Sequence, residues 1–136
     1  MDLLSFIGFY LLFGFLGFLF EMIIGAQKNW CGDNLIQNAG LCIPFLNIYA
    51  FGGIIILLIR PHFPLYLSVI ITGIILSIFE CLSGELGQIF KTGPRAWNYN
   101  NGKHFGVFCD GYTSLDLLLF WTLIALVVNI ILNYVK

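Results

Sequence analysis

Two acidic residues, Glu21 and Glu80, each stand inside a long apolar stretch of the sequence. An ionisable side chain within a membrane-length apolar segment is costly to bury, so by default it marks a functional site with a partner nearby. Each begins a Glu-x-x-x-Gly motif, which ends at Gly25 in the first case and at Gly84 in the second. Such carboxyls can bind a proton or a cation, and they can also serve only as hydrogen-bonding groups between helices.

Other polar and aromatic residues near these motifs could complete a pocket. The candidates are Glu21, Asn47, Tyr49, Glu80, Glu85, Arg95, Trp97 and Tyr99. Arg95 is the best candidate for a cation between two carboxylates, whereas Glu85 and Asp116 are equally well explained as interfacial residues. Trp97 and Tyr99 fit either a cover over the pocket or an aromatic anchor at the membrane interface.

The composition is that of an integral membrane protein. Of the 136 residues, 60% are hydrophobic and only 10% are charged, and the mean hydropathy is +0.95. These values lie far outside the soluble globular range. At about 20 residues per span, the apolar stretches predict one all-α domain, 1–136, with four transmembrane helices at about 3–24, 43–59, 65–90 and 114–135.

The charge balance limits the partners that the chain can have. A net charge of −1 argues against a nucleic-acid-binding face. The lipid bilayer is the partner that the composition requires. A homo-oligomer and a small-molecule, ion or lipid ligand stay open.

Small and polar residues recur on one face of spans one and three. Steps of three and four residues join Tyr10, Gly14, Gly17, Glu21 and Gly25 in span one, and Gly73, Ser77, Glu80, Gly84 and Gln88 in span three. The two halves of the chain resemble copies of one helical hairpin, related as a parallel repeat. We therefore expect the glycine faces of spans one and three to meet and the two Glu side chains to converge.

Four spans place both termini and the turn at Arg60 on one side of the membrane, and the two long loops on the other side, here called the motif side. The candidate pocket opens towards the motif side. Four cationic residues lie on the motif side, Lys28, Lys91, Arg95 and Lys103, and two lie on the opposite side, Arg60 and Lys136. The positive-inside rule relates such an imbalance to the orientation of the protein in the membrane. This bias predicts a cytoplasmic motif side and non-cytoplasmic termini.

Cysteine and histidine positions suggest neither a metal site nor a cofactor. No pair has the spacing of metal ligands. A Cys31–Cys42 or Cys42–Cys109 disulfide would need an oxidising motif side, so the predicted orientation favours reduced thiols. His104 could assist a neighbouring Cys or Ser nucleophile, but a lone His in a Gly- and Asn-rich loop is more often a solvated loop residue.

Several short motifs occur in the order typical of one known family. They are Gly17-Phe-Leu-Phe-Glu21, Asn38-Ala-Gly40, Pro44, Ile48-Tyr-Ala-Phe-Gly52, Glu80-Cys-Leu-Ser-Gly84 and Arg95-Ala-Trp-Asn-Tyr-Asn100. Together they resemble the CmpB-like family, small four-span proteins classed as ABC transporter type IV permeases. The match runs from Gly17 to about Trp121, and it implies a transporter-like function.

The chain departs from the family pattern at several positions. Phe18, Ala39, Asn47, Ser83, Asn98 and Asn100 stand where the family has Trp, Arg, Pro, Thr, Asp and Ser. Because Trp97 and Tyr99 match while the acid between them is absent, the resemblance implies a packing role for this loop more than an acid–base role. The chain also has no Walker A motif for ATP.

Three functions are compatible with these residues. The first, which we prefer, is a transporter-like or channel-like protein with a pocket built from Glu21 and Glu80. The second is an intramembrane lipid-modifying enzyme with Glu80 or Glu85 as general base. The third is a non-catalytic membrane assembly or scaffold protein.

Overall fold

The structure is a computed structural model that describes residues 1–23, 48–90 and 97–135. Within these ranges it contains the helices α1 (Leu3–Ile23), α2 (Ile48–Ile59), α3 (Leu65–Ile89) and α4 (Leu115–Tyr134). Helices α1, α3 and α4 are long and apolar enough to cross a membrane, and α2 is a shorter apolar helix. The chain is therefore a helical membrane protein. The first part of predicted span two, 43–47, lies outside the described residues.

Residues at the helix starts explain where α3 and α4 begin. Pro61 and Pro64 lack a backbone N–H and interrupt the helical ladder after Arg60, so α2 and α3 form a close antiparallel hairpin. Ser114 precedes α4, and its hydroxyl accepts a hydrogen bond from the Leu117 N–H at 3.4 Å. This N-cap satisfies one of the free donors of the first turn.

A small β-hairpin, which the sequence pattern did not predict, precedes α4 in this otherwise helical fold. Strand β1 (Val107–Phe108) pairs antiparallel with β2 (Thr113–Ser114). A 3-10 turn, Cys109–Gly111, joins them, and Cys109 and Asp110 have φ values of 54° and 55°. Strands of two residues are too short to produce the alternating pattern by which strands are recognised.

The glycine faces of α1 and α3 do not pack against each other. The face of α1 packs on α2, and the face of α3 packs on α4. In α1, Gly17 lies directly against Tyr49 of α2, and in α3, Gly73 lies against Thr122 of α4. Helix α1 packs mainly on α2, and α3 packs mainly on α4. The expected meeting of the glycine faces of spans one and three is therefore wrong, because α2 fills the space at Gly17 and α4 fills the space at Gly73.

The outer faces of the helices are apolar and exposed. Large exposed side chains include Leu4, Leu16, Ile23, Leu58, Ile74, Leu82, Leu123 and Val127. In water such a surface would aggregate, whereas in a bilayer it faces lipid tails. A small core around Ile56, Val69 and Ala125 joins α2, α3 and α4.

The described helices have two distinct ends. At one end, here called the Arg60 end, the Arg60 guanidinium donates a hydrogen bond to Asn133 near the end of α4. Helix α1 is antiparallel to α2, with Phe13 against Gly53 and Gly17 against Tyr49, so α1 also begins at the Arg60 end. The β-hairpin lies at the opposite end.

Candidate functional site

Glu80 lies on the inner face of α3 and is only 8% exposed. The Tyr99 hydroxyl donates to its Oε1 at 3.3 Å, and the Thr113 hydroxyl donates to its Oε2 at 3.3 Å. The buried indole nitrogen of Trp121 faces the same carboxyl, outside hydrogen-bond geometry. Groups from the loop, from β2 and from α4 thus converge on one buried carboxyl.

The segment that begins at Trp97 is held against the β-hairpin. The Trp97 indole N–H donates to the Tyr112 carbonyl oxygen at 3.0 Å, and the two rings meet edge to face at 5.6 Å. The Tyr99 N–H donates to the Gly111 carbonyl at 2.8 Å. Tyr112 is fully buried against Gly84, where a Cβ atom would overlap its ring. The Trp97 and Tyr99 side chains therefore pack over the end of α3.

Glu21 is linked to the same site through α2. The Tyr49 hydroxyl donates to Glu21 Oε1 at 2.7 Å. The Tyr49 ring lies 5.1 Å from the Trp121 ring, and Glu80 is within electrostatic range of Glu21. The two carboxyls share one region of the protein, with Tyr49 and Trp121 between their helices.

Tyr99 is a neutral donor in this site. Burial raises the pKa of its phenol well above the ordinary value, and the charges of Glu80 and Glu21 raise it further. Its ring also packs edge to face against the His104 ring at 4.8 Å. At physiological pH the Tyr99 hydroxyl thus keeps the proton that it donates to Glu80.

His104 is not a solvated loop residue, which corrects the preferred interpretation of this position. Its Nδ1 lies 2.6 Å from Asp116 Oδ2, and the two side chains are 25% and 28% exposed. The Ser114 hydroxyl donates to the other Asp116 oxygen. The pairing depends on the β-hairpin, which returns the chain to α3 and α4 and brings positions twelve residues apart together.

A disulfide joins Cys81 to Cys109, with Cα atoms 5.8 Å apart. The prediction of reduced thiols is wrong for this pair, because the 3-10 turn folds back onto α3 beside Cys81. Cys31 and Cys42 lie outside the described residues.

The family model described as Putative ABC-transporter type IV matches residues 8–136. The chain belongs to the CmpB family. The resemblance inferred from the motifs is confirmed, as is the class of transporter-related membrane protein. Comparison with curated proteins and with solved structures finds no match.

Of the CmpB-family motifs, those within the described residues supply much of the cluster around Glu80. The predicted residues that meet there are Glu21, Tyr49, Glu80, Trp97 and Tyr99. Glu85 is half-buried on α3, about 140° around the helix from Glu80, and it forms no hydrogen bond to the described residues of the cluster. Asn47 and Arg95 lie outside the described residues.

Sequence reasoning missed three residues at this end of the protein, Thr113, Ser114 and Trp121. Thr113 and Ser114 carried one available signal, since two hydroxyl residues stand immediately before a long apolar helix, where a cap is common. Trp121 carried a weaker one, as an indole N–H within an apolar span needs a polar neighbour. Neither signal identifies Glu80 as the group that Thr113 and Trp121 face, or Asp116 as the partner of Ser114.

Proposed function

We propose that this CmpB-family chain is a transporter-like or channel-like membrane protein in which Glu21 and Glu80 bind a proton or a cation. The observation that carries the proposal is the buried Glu80 carboxyl, held by two hydroxyl donors within range of a second carboxyl. Two negative carboxylates in a low-dielectric region repel one another. The protein is therefore stabilised when one of them holds a proton or when a cation lies between them.

The unequal burial of the two carboxyls supports a route through the site. Glu21 is half-buried near the end of α1, whereas Glu80 is buried within the bundle. Tyr49 bonds to Glu21 and packs on Trp121, which faces Glu80. A proton or cation arriving at the more accessible carboxyl thus has a polar and aromatic path to the deeper one.

The proposal includes four membrane spans. Helix α2 has 12 residues, so it is about 18 Å long, whereas the hydrocarbon core is about 30 Å thick. We propose that residues 43–47 complete this span. Arg95, which lies outside the described residues, remains our candidate for a cationic group that closes the site.

The test is flux in liposomes that contain the purified protein and a pH-sensitive dye. Glu80→Gln keeps the size of the side chain and removes its charge, and we expect flux to fall by about tenfold or more, equivalent to about 1.4 kcal/mol. Glu85→Gln is the matched control, since it removes a carboxyl from the same helix outside the cluster. Equal flux in wild type and Glu80→Gln, with both proteins folded, would refute the proposal.

A second candidate function is an intramembrane enzyme that acts on a lipid. The observation that favours it is the His104–Asp116 pair, because a carboxylate on Nδ1 orients an imidazole for general-base chemistry at its other nitrogen. Lipid turnover that is lost in Asp116→Asn and kept in Glu80→Gln would favour this function. A scaffold role, in contrast, predicts that the wild type itself shows neither flux nor lipid turnover.

A further inference from the structure

A cleft of about 190 Å³ opens at the Arg60 end, far from Glu80. The residues that line it are Arg60, Phe63, Leu65, Ser68, Asn129 and Asn133. It lies where the α2–α3 turn meets the end of α4. If the helices cross a bilayer, this level coincides with the lipid head groups, where Arg side chains commonly reside.

One wall of the cleft is polar and contains a buried group without a partner. Ser68 is 1% exposed, and its Oγ forms no hydrogen bond with the described residues. Leaving a buried hydroxyl unpaired is costly, so a group within the cleft that bonds to it would be favoured. Asn129 is also 1% exposed, and its Nδ2 donates to the Ala125 carbonyl at 2.8 Å, which fixes its amide.

Arg60 makes this wall positive. Its guanidinium is a cation with five N–H donors. The bond to Asn133 orients the fork and leaves further donors for an anion. None of the described lining residues is acidic, so the cleft offers no carboxylate for a cationic head group.

The rim of the cleft is apolar and faces outwards. Phe63 and Leu65 are each 44% exposed and flank the start of α3. We propose that the cleft binds the phosphate of an anionic phospholipid. Arg60 and Ser68 hold the phosphate oxygens, and the first part of an acyl chain lies on Phe63 and Leu65. A free phosphate would use the polar wall alone, and the apolar rim is the reason to assign the site to a lipid.

The test measures lipid affinity of the full chain in detergent, from the rise in melting temperature with added lipid. We expect phosphatidylglycerol to raise it and phosphatidylcholine to raise it much less. Arg60→Gln should weaken phosphatidylglycerol binding by about tenfold or more. Lys103→Gln, which removes a cation at the opposite end, should leave the affinity unchanged.

Ser68→Ala separates ligand binding from stability. It deletes the unpaired hydroxyl, so we expect the melting temperature without lipid to stay the same or rise while the affinity for phosphatidylglycerol falls. If Arg60→Gln does not fold, Ser68→Ala still tests whether the cleft binds phosphatidylglycerol. Lipid binding at this cleft is independent of flux through Glu80. A negative result for lipid binding would therefore leave the proposed function of Glu21 and Glu80 unaffected.

Three outcomes would overturn the lipid assignment. Equal effects of phosphatidylglycerol and phosphatidylcholine would show that the cleft does not recognise an anionic head group. Equal losses in Arg60→Gln and Lys103→Gln would indicate general charge attraction. Inorganic phosphate that matches the effect of phosphatidylglycerol and competes with it would assign the cleft to a free anion.

Discussion

Gly84 is the position at which a single methyl group tests the packing of the candidate site. It lies one turn beyond Glu80 on the buried face of α3, and Tyr112 covers it. In Gly84→Ala the new Cβ would overlap Cγ and Cδ1 of the Tyr112 ring. These atoms are close to the Tyr112 backbone, which accepts a bond from Trp97 and donates one to the Cys109 carbonyl. The ring therefore has little freedom to move aside.

The size of the effect follows from two opposing contributions. Overpacking a well-packed interior costs about 1–3 kcal/mol, and the rigid, fully buried Tyr112 ring places this site at the upper end. Replacing Gly by Ala inside a helix returns about 1 kcal/mol. We expect a net loss of about 2 kcal/mol, or a fall in melting temperature of about 6–10 °C for a chain of this length.

Thermal unfolding in detergent measures this difference, with Gly8→Ala as the matched control. Gly8 is in α1, and a Cβ atom there would have nothing within 4 Å, so Gly8→Ala should keep or raise the melting temperature. Tyr112→Leu added to Gly84→Ala should give less than the sum of the two separate losses, because the two positions share one contact. The same melting temperature for Gly84→Ala and Gly8→Ala would contradict the packing described above.

Two further predictions concern the same end of the molecule. The Cys81–Cys109 bond closes a segment with a sequence separation of 28, so the variant with both cysteines replaced by Ser should lose about 3–4 kcal/mol of unfolding free energy. Identical melting curves with and without reductant would speak against it. Because the folded-state pKa of Tyr99 is raised, its contribution to stability is complete below the unfolded value of about 10 and declines as the pH rises above that value. Absorbance titration checks this: the tyrosinate signal up to about pH 11 should be the same in wild type and Tyr99→Phe, and a smaller signal in the variant would contradict the prediction.

The two carboxyls could be found without a structure, but the contacts that link their helices could not. Glu21 and Glu80 are conspicuous because their neighbours in sequence are apolar and a charge there is costly. A parallel repeat predicts that their helices meet face to face, which the packing of Gly17 on Tyr49 contradicts. A glycine face shows that something approaches closely, and it does not show which helix does so.

The β-hairpin limited prediction of the site in a different way. Its strands have two residues each, too few for a periodic pattern. Nevertheless its register places Thr113 on Glu80 and, with the disulfide, keeps the turn beside α3. The His104–Asp116 pair depends on the same turn.

The sequence by itself determined that this protein lies in a lipid bilayer and that it belongs to the CmpB family. It also identified Glu21 and Glu80 as carboxyls that are costly to bury. Those properties depend on composition, ordered motifs and the cost of a carboxyl in an apolar segment, all of which are local. Only the tertiary structure decided the partners of Glu80, the Cys81–Cys109 bond and the polar cleft at Arg60. These depend on which surfaces fill the spaces at the glycines and on the register of a short hairpin, and both arise from contacts between residues that are distant along the chain.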